Sequence, residues 1–484
     1  MYKLMPILHV LSKLVMLFSG LFIFPSLVSI YYHDGALDDF LASMFVGLSV
    51  GLFLWAATRR YERELRPRDG FVLVSLLWIG FAATATTPFL LYYPHMNVAQ
   101  AFFEAMSGLT TTGATVLSDL DSLPQSINFW RHFLSWLGGM GIIVLAVAVL
   151  PLLGVGGMQL YKAEMAGPMK DSKLTPRIMQ TAKNLWTAYA ALTLAAFLCL
   201  RLAGMSWFDA LCHAFTSLSL GGFSSRSDSI AYFDSLSIEL VMIVFMLLGA
   251  MNFANHFLAF RNRSIRHFLH DAETRSVLGV MGVSIIGLSG YLAWHSNYDY
   301  FTAMRLVSFN LVSVATGSGF VSADFGNWPL SVPLWMLMLS CFAVCTGSTG
   351  GGIKMGRALI LFRQASGDII RLLHPTAVVP VKINQRVVPP QVVQSILSFI
   401  FAYIACMVLS TFVFMMSGLD FLSAFTAVIA CINNTGVGLG VVGPSSNFSV
   451  LNDFQIWMGS LLMLLGRLEI FTLLIIVTPA FWRK

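Results

Sequence analysis

Residues 98–113 read VAQAFFEAMSGLTTTG, an apolar run that closes on Thr110-Thr111-Thr112-Gly113. A helix over 98–111 reaches roughly 20 Å at 1.5 Å per residue, too short for the ~30 Å hydrocarbon core of a bilayer. The same arrangement recurs three times. Half-span 207–219 runs into Ser219-Leu220-Gly221-Gly222, 301–314 into Val314-Ala315-Thr316-Gly317, and 420–433 into Asn433-Asn434-Thr435-Gly436. Each half-span lies between long apolar spans, so it must enter the bilayer and turn back. Non-helical backbone at that depth survives only where it is buried in protein or lines water. Surface helices in external loops would have no reason to share one polar–glycine ending at the same place in four successive units.

Composition agrees with a membrane setting. The 484 residues are 57% hydrophobic and only 11% charged, with a mean hydropathy of +0.76. Soluble domains carry about 25% charged residues. The chain therefore reads as an all-α polytopic membrane protein. The first apolar run is long, is soon followed by another and lacks an A-x-A-like site, so no cleavable signal peptide is expected. The net charge of +6 comes from bases in short loops and is no nucleic-acid signal. Cys199, Cys212, Cys341, Cys345, Cys406 and Cys431 all fall in apolar context without zinc-type spacing. They read as buried fillers, with no disulfide and no metal site.

Apolar spans occur at 4–31, 38–58, 70–93, 127–154, 184–204, 236–260, 277–294, 332–362, 392–416 and 454–481, giving ten expected transmembrane helices. Bases cluster in alternate loops. These hold Arg59, Arg60, Arg63, Arg66 and Arg68; then Lys162, Lys170, Lys173, Arg177 and Lys183; then Arg261, Arg263, Arg266 and Arg275; then Arg363, Arg371, Lys382 and Arg386; and finally Arg483-Lys484. The opposite loops hold mostly acids. The positive-inside rule then places both termini in the cytoplasm. After two N-terminal helices (1–69), the pattern span, half-span, loop, span repeats over 70–156, 157–265, 266–375 and 376–484. Each repeat begins and ends inside, so the four are parallel around one central pore. A second echo follows each loop, at Leu137-Gly138-Gly139-Met140, Leu248-Gly249-Ala250-Met251, Gly350-Gly351-Gly352-Ile353 and Leu465-Gly466-Arg467-Leu468.

A re-entrant helix entering from outside points its C-terminus, and the negative end of its dipole, at the membrane centre. Four such ends favour a cation there, and the outgoing backbone can present carbonyl oxygens to it. The four clusters contain no Lys or Arg, which disfavours anions. They contain no ring of Asp or Glu, which disfavours divalent cations. A large, weakly hydrated monovalent ion fits best.

These units, with the loop Thr110–Ala114 and the run Gly347–Gly352, resemble the Trk/Ktr/HKT superfamily of potassium transporters. The two extra N-terminal helices resemble those of the membrane subunits of bacterial Trk potassium-uptake systems. The resemblance covers the whole chain. It implies one filter glycine per repeat, at Gly113, Gly222, Gly317 and Gly436. It implies potassium ions bound by carbonyls of Thr111, Thr112, Leu220, Gly221, Ala315, Thr316, Asn434 and Thr435, beside Thr110. Relatives with serine at the first glycine tend to pass sodium, so Gly113 implies K⁺ and Rb⁺ over Na⁺ and Li⁺. It further implies the bacterial cytoplasmic (inner) membrane, a homodimer, and a TrkA-like cytoplasmic ring protein that binds nucleotides. This chain has no phosphate-binding G-x-x-x-x-G-K-[ST] loop. Potassium is substrate; no cofactor is expected.

Two features lie below the filter. Gly347, Gly350, Gly351, Gly352 and Gly356, with Lys354 among them, will not hold a continuous helix. The reading is an intramembrane gate loop, which the resemblance also implies; a kinked helix packed through its glycines is the alternative. Lys354 fits a watery cavity better than lipid. Arg467 stands deep in the last span, where its counterparts are Gly139, Ala250 and Gly351. It reads as an electrostatic barrier to cations, together with the glycine loop, or else as an ion-pair partner of Glu469 or another acid at a helix interface. Glu104, Asp209 and His213 read as supports of the half-spans, and Asp420 as an N-terminal acid that suits the helix dipole. The stretch 376–388, TAVVPVKINQRVV, alternates as a hairpin that could dock a partner, or is a solvated loop. An alternative function is a K⁺ symporter coupled to Na⁺ or H⁺, for which Glu469 is the best buried carboxylate. No Ser/His, paired-Asp or metal constellation suggests an enzyme.

Overall fold

Capping residues start the four half-spans. Asn97 accepts from the Gln100 amide while the Gln100 side chain accepts from the Asn97 amide, and the helix Val98–Leu109 follows. This reciprocal cap satisfies two donors that a helix start leaves open. Ser206, Asp299 and Asp420 cap Trp207–Ser219, Tyr300–Ala315 and Phe421–Ile432 by accepting first-turn amides with their side chains. The four pore helices lie within two residues of the expected half-spans. The computed structural model describes residues 4–63, 65–141, 178–384 and 386–482. The basic residues Lys162, Lys170, Lys173, Arg177, Arg483 and Lys484 and the expected boundary at 156/157 lie outside them.

Each pore helix packs between two second spans, its own and that of the preceding unit. Val98–Leu109 lies against Gln125–Gly139 and Asp453–Arg467, and Trp207–Ser219 against Leu236–Ala250 and Gln125–Gly139. Tyr300–Ala315 lies against Ser331–Ser340 and Leu236–Ala250, and Phe421–Ile432 against Asp453–Arg467 and Ser331–Ser340. The first unit thereby meets the fourth, and the ring closes.

Among the described residues, six helices are long and apolar enough to cross a membrane, or eight if each bent pair is one span. Of the other two expected spans, 127–154 has its second half outside the described residues. The other, 332–362, is interrupted. Its helix ends at Ser340 and resumes at Met355. The bent pairs are Leu236–Ala250 with Phe253–Asn262, at 102°, and Asp453–Arg467 with Phe471–Val477, at 112°. The breaks fall at the second echo. A Cβ at Gly138, Gly249 or Gly466 would overlap the carbonyl oxygen of Leu109, Leu218 or Ile432. These glycines let each second span touch the C-terminal end of its own pore helix.

The N-terminal helices Met5–Tyr32 and Leu37–Tyr61 dock on the first unit. Phe18 stacks on Phe81 with ring centroids 4.5 Å apart, and Phe22 lies 4.7 Å from Trp130. Between the two helices, the Asp34 carboxylate accepts from the Ser126 amide at 2.8 Å, at the start of Gln125–Gly139. The expected hairpin forms, with Lys382–Ile383 paired antiparallel to Arg386–Val387.

Candidate functional site

Each pore helix ends in a turn of one design. The amide of Thr112 donates to Ser107 O, that of Gly221 to Thr216 O, that of Ser318 to Ser313 O and that of Thr435 to Ala430 O. The residue before each donor has positive φ (Thr111, Leu220, Gly317 and Asn434), and so has the residue after it (Gly113, Gly222, Gly319 and Gly436). The hydroxyls agree with this register. Thr110 Oγ1 meets Thr112 Oγ1 at 2.8 Å, and Thr316 Oγ1 meets Ser318 Oγ at 3.0 Å.

One expectation is thereby corrected. The glycine of the third loop in register with Gly113, Gly222 and Gly436 is Gly319, not Gly317. Ala315 closes the third pore helix and Thr316 caps it, so the pair stands in register with Leu109 and Thr110. The residues in register with Thr111 and Thr112 are Gly317 and Ser318. Two glycines two apart both follow a polar residue here, and only the turn's hydrogen bonding tells them apart.

The four loops meet in a cycle. A Cβ on Gly113 would overlap Gly221 O, one on Gly222 would overlap Ser318 O, one on Gly319 would overlap Thr435 O, and one on Gly436 would overlap Thr112 O. Each glycine therefore abuts the backbone of the next loop, and the last abuts the first. Asn434 Nδ2 strengthens this final contact by donating to Thr112 Oγ1 at 2.9 Å and to Met463 O at 3.0 Å. The Oδ1 of Asn434 and the Oγ1 of Thr435 are buried and have no hydrogen-bond partner among the described residues.

Side chains at one register of the pore helices hold the outgoing strands. Glu104 accepts from Thr115 Oγ1 and the Val116 amide, both at 3.0 Å. His213 Nε2 meets Ser224 Oγ at 3.0 Å. Asn310 exchanges bonds with Ser322 at 2.9 and 3.1 Å. Asp209 is paired with Arg226 at 2.9 Å. The expected supporting roles of Glu104, Asp209 and His213 match these contacts. Sequence reasoning passed over Arg131. This fully buried guanidinium pairs with Glu104 at 2.7 Å and stacks on Phe223 of the second loop at 4.3 Å. An arginine inside an apolar span was the available signal.

Beneath the loops runs the non-helical segment 341–354. Its Thr349 Oγ1 donates to Leu218 O at 3.1 Å, and its Cys345 amide donates to Ala250 O at 2.8 Å. A Cβ on Gly351 would overlap Asn433 O, and one on Gly350 would come within 3.2 Å of Thr316 O. The segment therefore lies against the ends of three pore helices. Gly347 O accepts from the Phe253 amide at 3.1 Å. Gly347 and Gly352 have positive φ, and Gly356 lies in the first turn of the helix that follows. Lys354 folds its ammonium onto the segment's own carbonyls, Gly350 O at 2.6 Å and Ser348 O at 3.4 Å. Glu273 anchors the segment by accepting from the Thr346 amide at 2.7 Å.

Arg467 bridges several of these parts. It donates to Thr349 O at 2.7 Å, to Thr111 Oγ1 at 3.3 Å, to Gly139 O at 3.1 Å and to Gly138 O. Carbonyls at a helix C-terminus attract a cation, and Gly138 and Gly139 end Gln125–Gly139. Glu469 pairs with Arg357 at 2.5 Å, and that guanidinium lies 4.2 Å over Phe399.

Comparison with known proteins agrees with this architecture. The chain is 44% identical over 480 residues to the Trk system potassium uptake protein TrkH of Salmonella typhimurium, covering 99% of both chains. It is 43% identical to the Escherichia coli protein of the same name, again over 99% of both. The crystal structure of the potassium transporter TrkH from Vibrio parahaemolyticus superposes with a TM-score of 0.89 at 41% identity, covering 99% of this chain and all of that one. A family model described as TrkH, cation transport protein, matches residues 36–484, and the chain belongs to this family of cation transport proteins.

Proposed function

We propose that the chain takes up potassium across the bacterial cytoplasmic membrane through the ring formed by its four loops. The observation that carries the reading is the cyclic closure, in which each loop glycine abuts the backbone of the next loop. Such a ring can offer a dehydrated ion carbonyl oxygens at fixed spacing. The printed names of the relatives point to the same ion. The filter residues are Thr110–Gly113, Leu220–Gly222, Asn434–Gly436 and, in the corrected register, Gly317–Gly319. Glycine at Gly113 supports K⁺ and Rb⁺ over Na⁺ and Li⁺.

Segment 341–354 and Arg467 form the gate in this reading, because both lie where an ion leaves the ring and Arg467 adds a positive charge there. The basic loops place both termini in the cytoplasm. A TrkA-like nucleotide-binding ring docks on that side and governs the gate, and two copies of the chain associate. Symport loses its best carboxylate, because Glu469 is engaged by Arg357.

The test is rubidium flux into potassium-loaded liposomes holding the purified protein, with sodium or lithium as competing external ions. Flux blocked by external potassium but not by sodium is the expected result. Flux that requires sodium would overturn the reading in favour of symport.

A further inference from the structure

The face that carries the basic loops holds a cleft of about 1040 Å³. Arg266, Arg275, Arg363 and Lys382 line it, with His267 and His270 beside them. The bases come from four places: the short helix Arg266–His270, the first turn of the helix Ala272–His295, the helix Met355–Leu373 and the hairpin. Among the described residues none of the four permanent cations has an ion-pair partner. The carboxylate lining the cleft, Asp271, is held by neutral neighbours rather than by the bases. It accepts from the Thr274 amide at 3.1 Å, from Thr274 Oγ1 at 2.7 Å and from Asn384 Nδ2 at 3.2 Å. Converging unpaired cations repel one another, and the arrangement is stabilised by an anion between them.

We propose that this cleft binds the phosphate headgroup of an anionic membrane phospholipid. Charge selects a phosphate, and the apolar surroundings select a lipid over a soluble phosphate. Leu269 lines the cleft among the bases and is 60% exposed. Ile265 and Phe362, the residues before Arg266 and Arg363, are 70% and 73% exposed. Bases flanked by outward apolar side chains at the end of a membrane span fit a headgroup with its acyl chains alongside.

The site reaches the segment beneath the ring. Asn384 of the hairpin accepts from the Ala272 amide at 2.9 Å. The next residue, Glu273, accepts from the Thr346 amide. A lipid that draws Arg363 and Lys382 together therefore bears on the residues that anchor segment 341–354.

The test is native mass spectrometry of the full chain in detergent, with phosphatidylglycerol or phosphatidylcholine added. Phosphatidylglycerol is retained preferentially by the wild-type chain. Arg363→Gln and Lys382→Gln each weaken retention about fivefold, as removal of one interfacial charge should. The combined Arg266→Gln, Arg275→Gln, Arg363→Gln, Lys382→Gln variant weakens it more than about a hundredfold. The pair Arg59→Gln, Arg60→Gln, in another basic loop, leaves it unchanged. Equal retention of both lipids by the wild type, or unchanged retention in the two single variants, overturns the proposal. Displacement of the lipid by millimolar inorganic phosphate would assign the cleft to a soluble anion and overturn the lipid assignment. The single variants carry the test if the fourfold variant does not fold.

Discussion

Arg467 ties the fourth unit to the first and third with one guanidinium, through Thr111, Gly138, Gly139 and Thr349. A hydrogen bond to a charged group contributes about 1.5–3 kcal/mol. Arg467→Gln removes the charge and at least one such bond, so resting rubidium flux in liposomes rises by about ten- to a hundredfold. Unchanged flux would remove Arg467 from the gate. The glycine register makes a second prediction. Gly317 shares its position with Thr111, Leu220 and Asn434, all non-glycine residues at positive φ, and Asn is among the side chains that tolerate that region. A Cβ on Gly317 finds its nearest neighbour, Asn434 O, 3.5 Å away, whereas one on Gly319 collides with Thr435 O. Gly317→Asn therefore keeps the preference for rubidium over sodium, and Gly319→Asn loses it. Arg131 and Glu104 form a buried pair, and removing one partner strands the other charge. Arg131→Met lowers stability by about 3–5 kcal/mol, and adding Glu104→Gln restores part of it, read as thermal stability in detergent.

Pore helices were legible because several local signals coincide. Their length is too short to span, a polar turn ends each one, and Asp420 marks the start of the fourth; the caps at Asn97, Ser206 and Asp299 emerge from the structure. Breaks in the second spans were less legible, because the apolar pattern runs on through Ala250 and Arg467 while the backbone bends by 102° and 112°. These spans bend where they approach the ends of the pore helices, at a distance that Gly249 and Gly466 permit. Segment 341–354 was legible as a break because its glycines are dense. Its anchors were not, since Glu273 lies 73 residues from Thr346. The register of the third loop differs by two positions from the one its sequence suggests, because glycine content alone does not set a register. At the scale of the segment, Glu273→Ala removes the acceptor for the Thr346 amide and slackens one end of the proposed gate. Resting flux should rise about tenfold, the equivalent of one ~1.4 kcal/mol contact. No rise in flux would mean that the remaining contacts, at Cys345, Gly347, Thr349 and Arg467, hold the segment without Glu273.

A ring cut from one chain has a seam, and here it lies between the first and fourth units. Asn97 Nδ2 reaches Asp453 Oδ1 at 2.8 Å, the Phe448 amide reaches Thr115 O at 2.9 Å, and Asn434 reaches Thr112. These contacts join residues more than 300 positions apart, so their loop-closure cost is among the largest in the molecule. The N-terminal helices brace the first unit through Asp34. Burial pushes its carboxyl up, but bonds from Ser29, Ser126 and Ala36 outweigh burial and hold it below the usual carboxylate value. A depressed value in the folded state contributes stability above the ordinary pKa, and that contribution is lost as pH falls through the folded value. The stability gap between the wild type and Asp34→Asn should therefore be constant near neutrality and shrink below about pH 4. The seam itself is tested by Asn434→Leu. Leucine occupies the same register and positive φ in the second loop, at Leu220, so the backbone turn is kept. What disappears is the pair of bonds to Thr112 Oγ1 and Met463 O. If the seam holds the fourth loop at the spacing a potassium ion needs, the variant folds, still passes rubidium, and lets sodium compete. If discrimination is unchanged, the abutting backbones of Gly436 and Thr112 suffice to close the ring, and the asparagine is a packing choice.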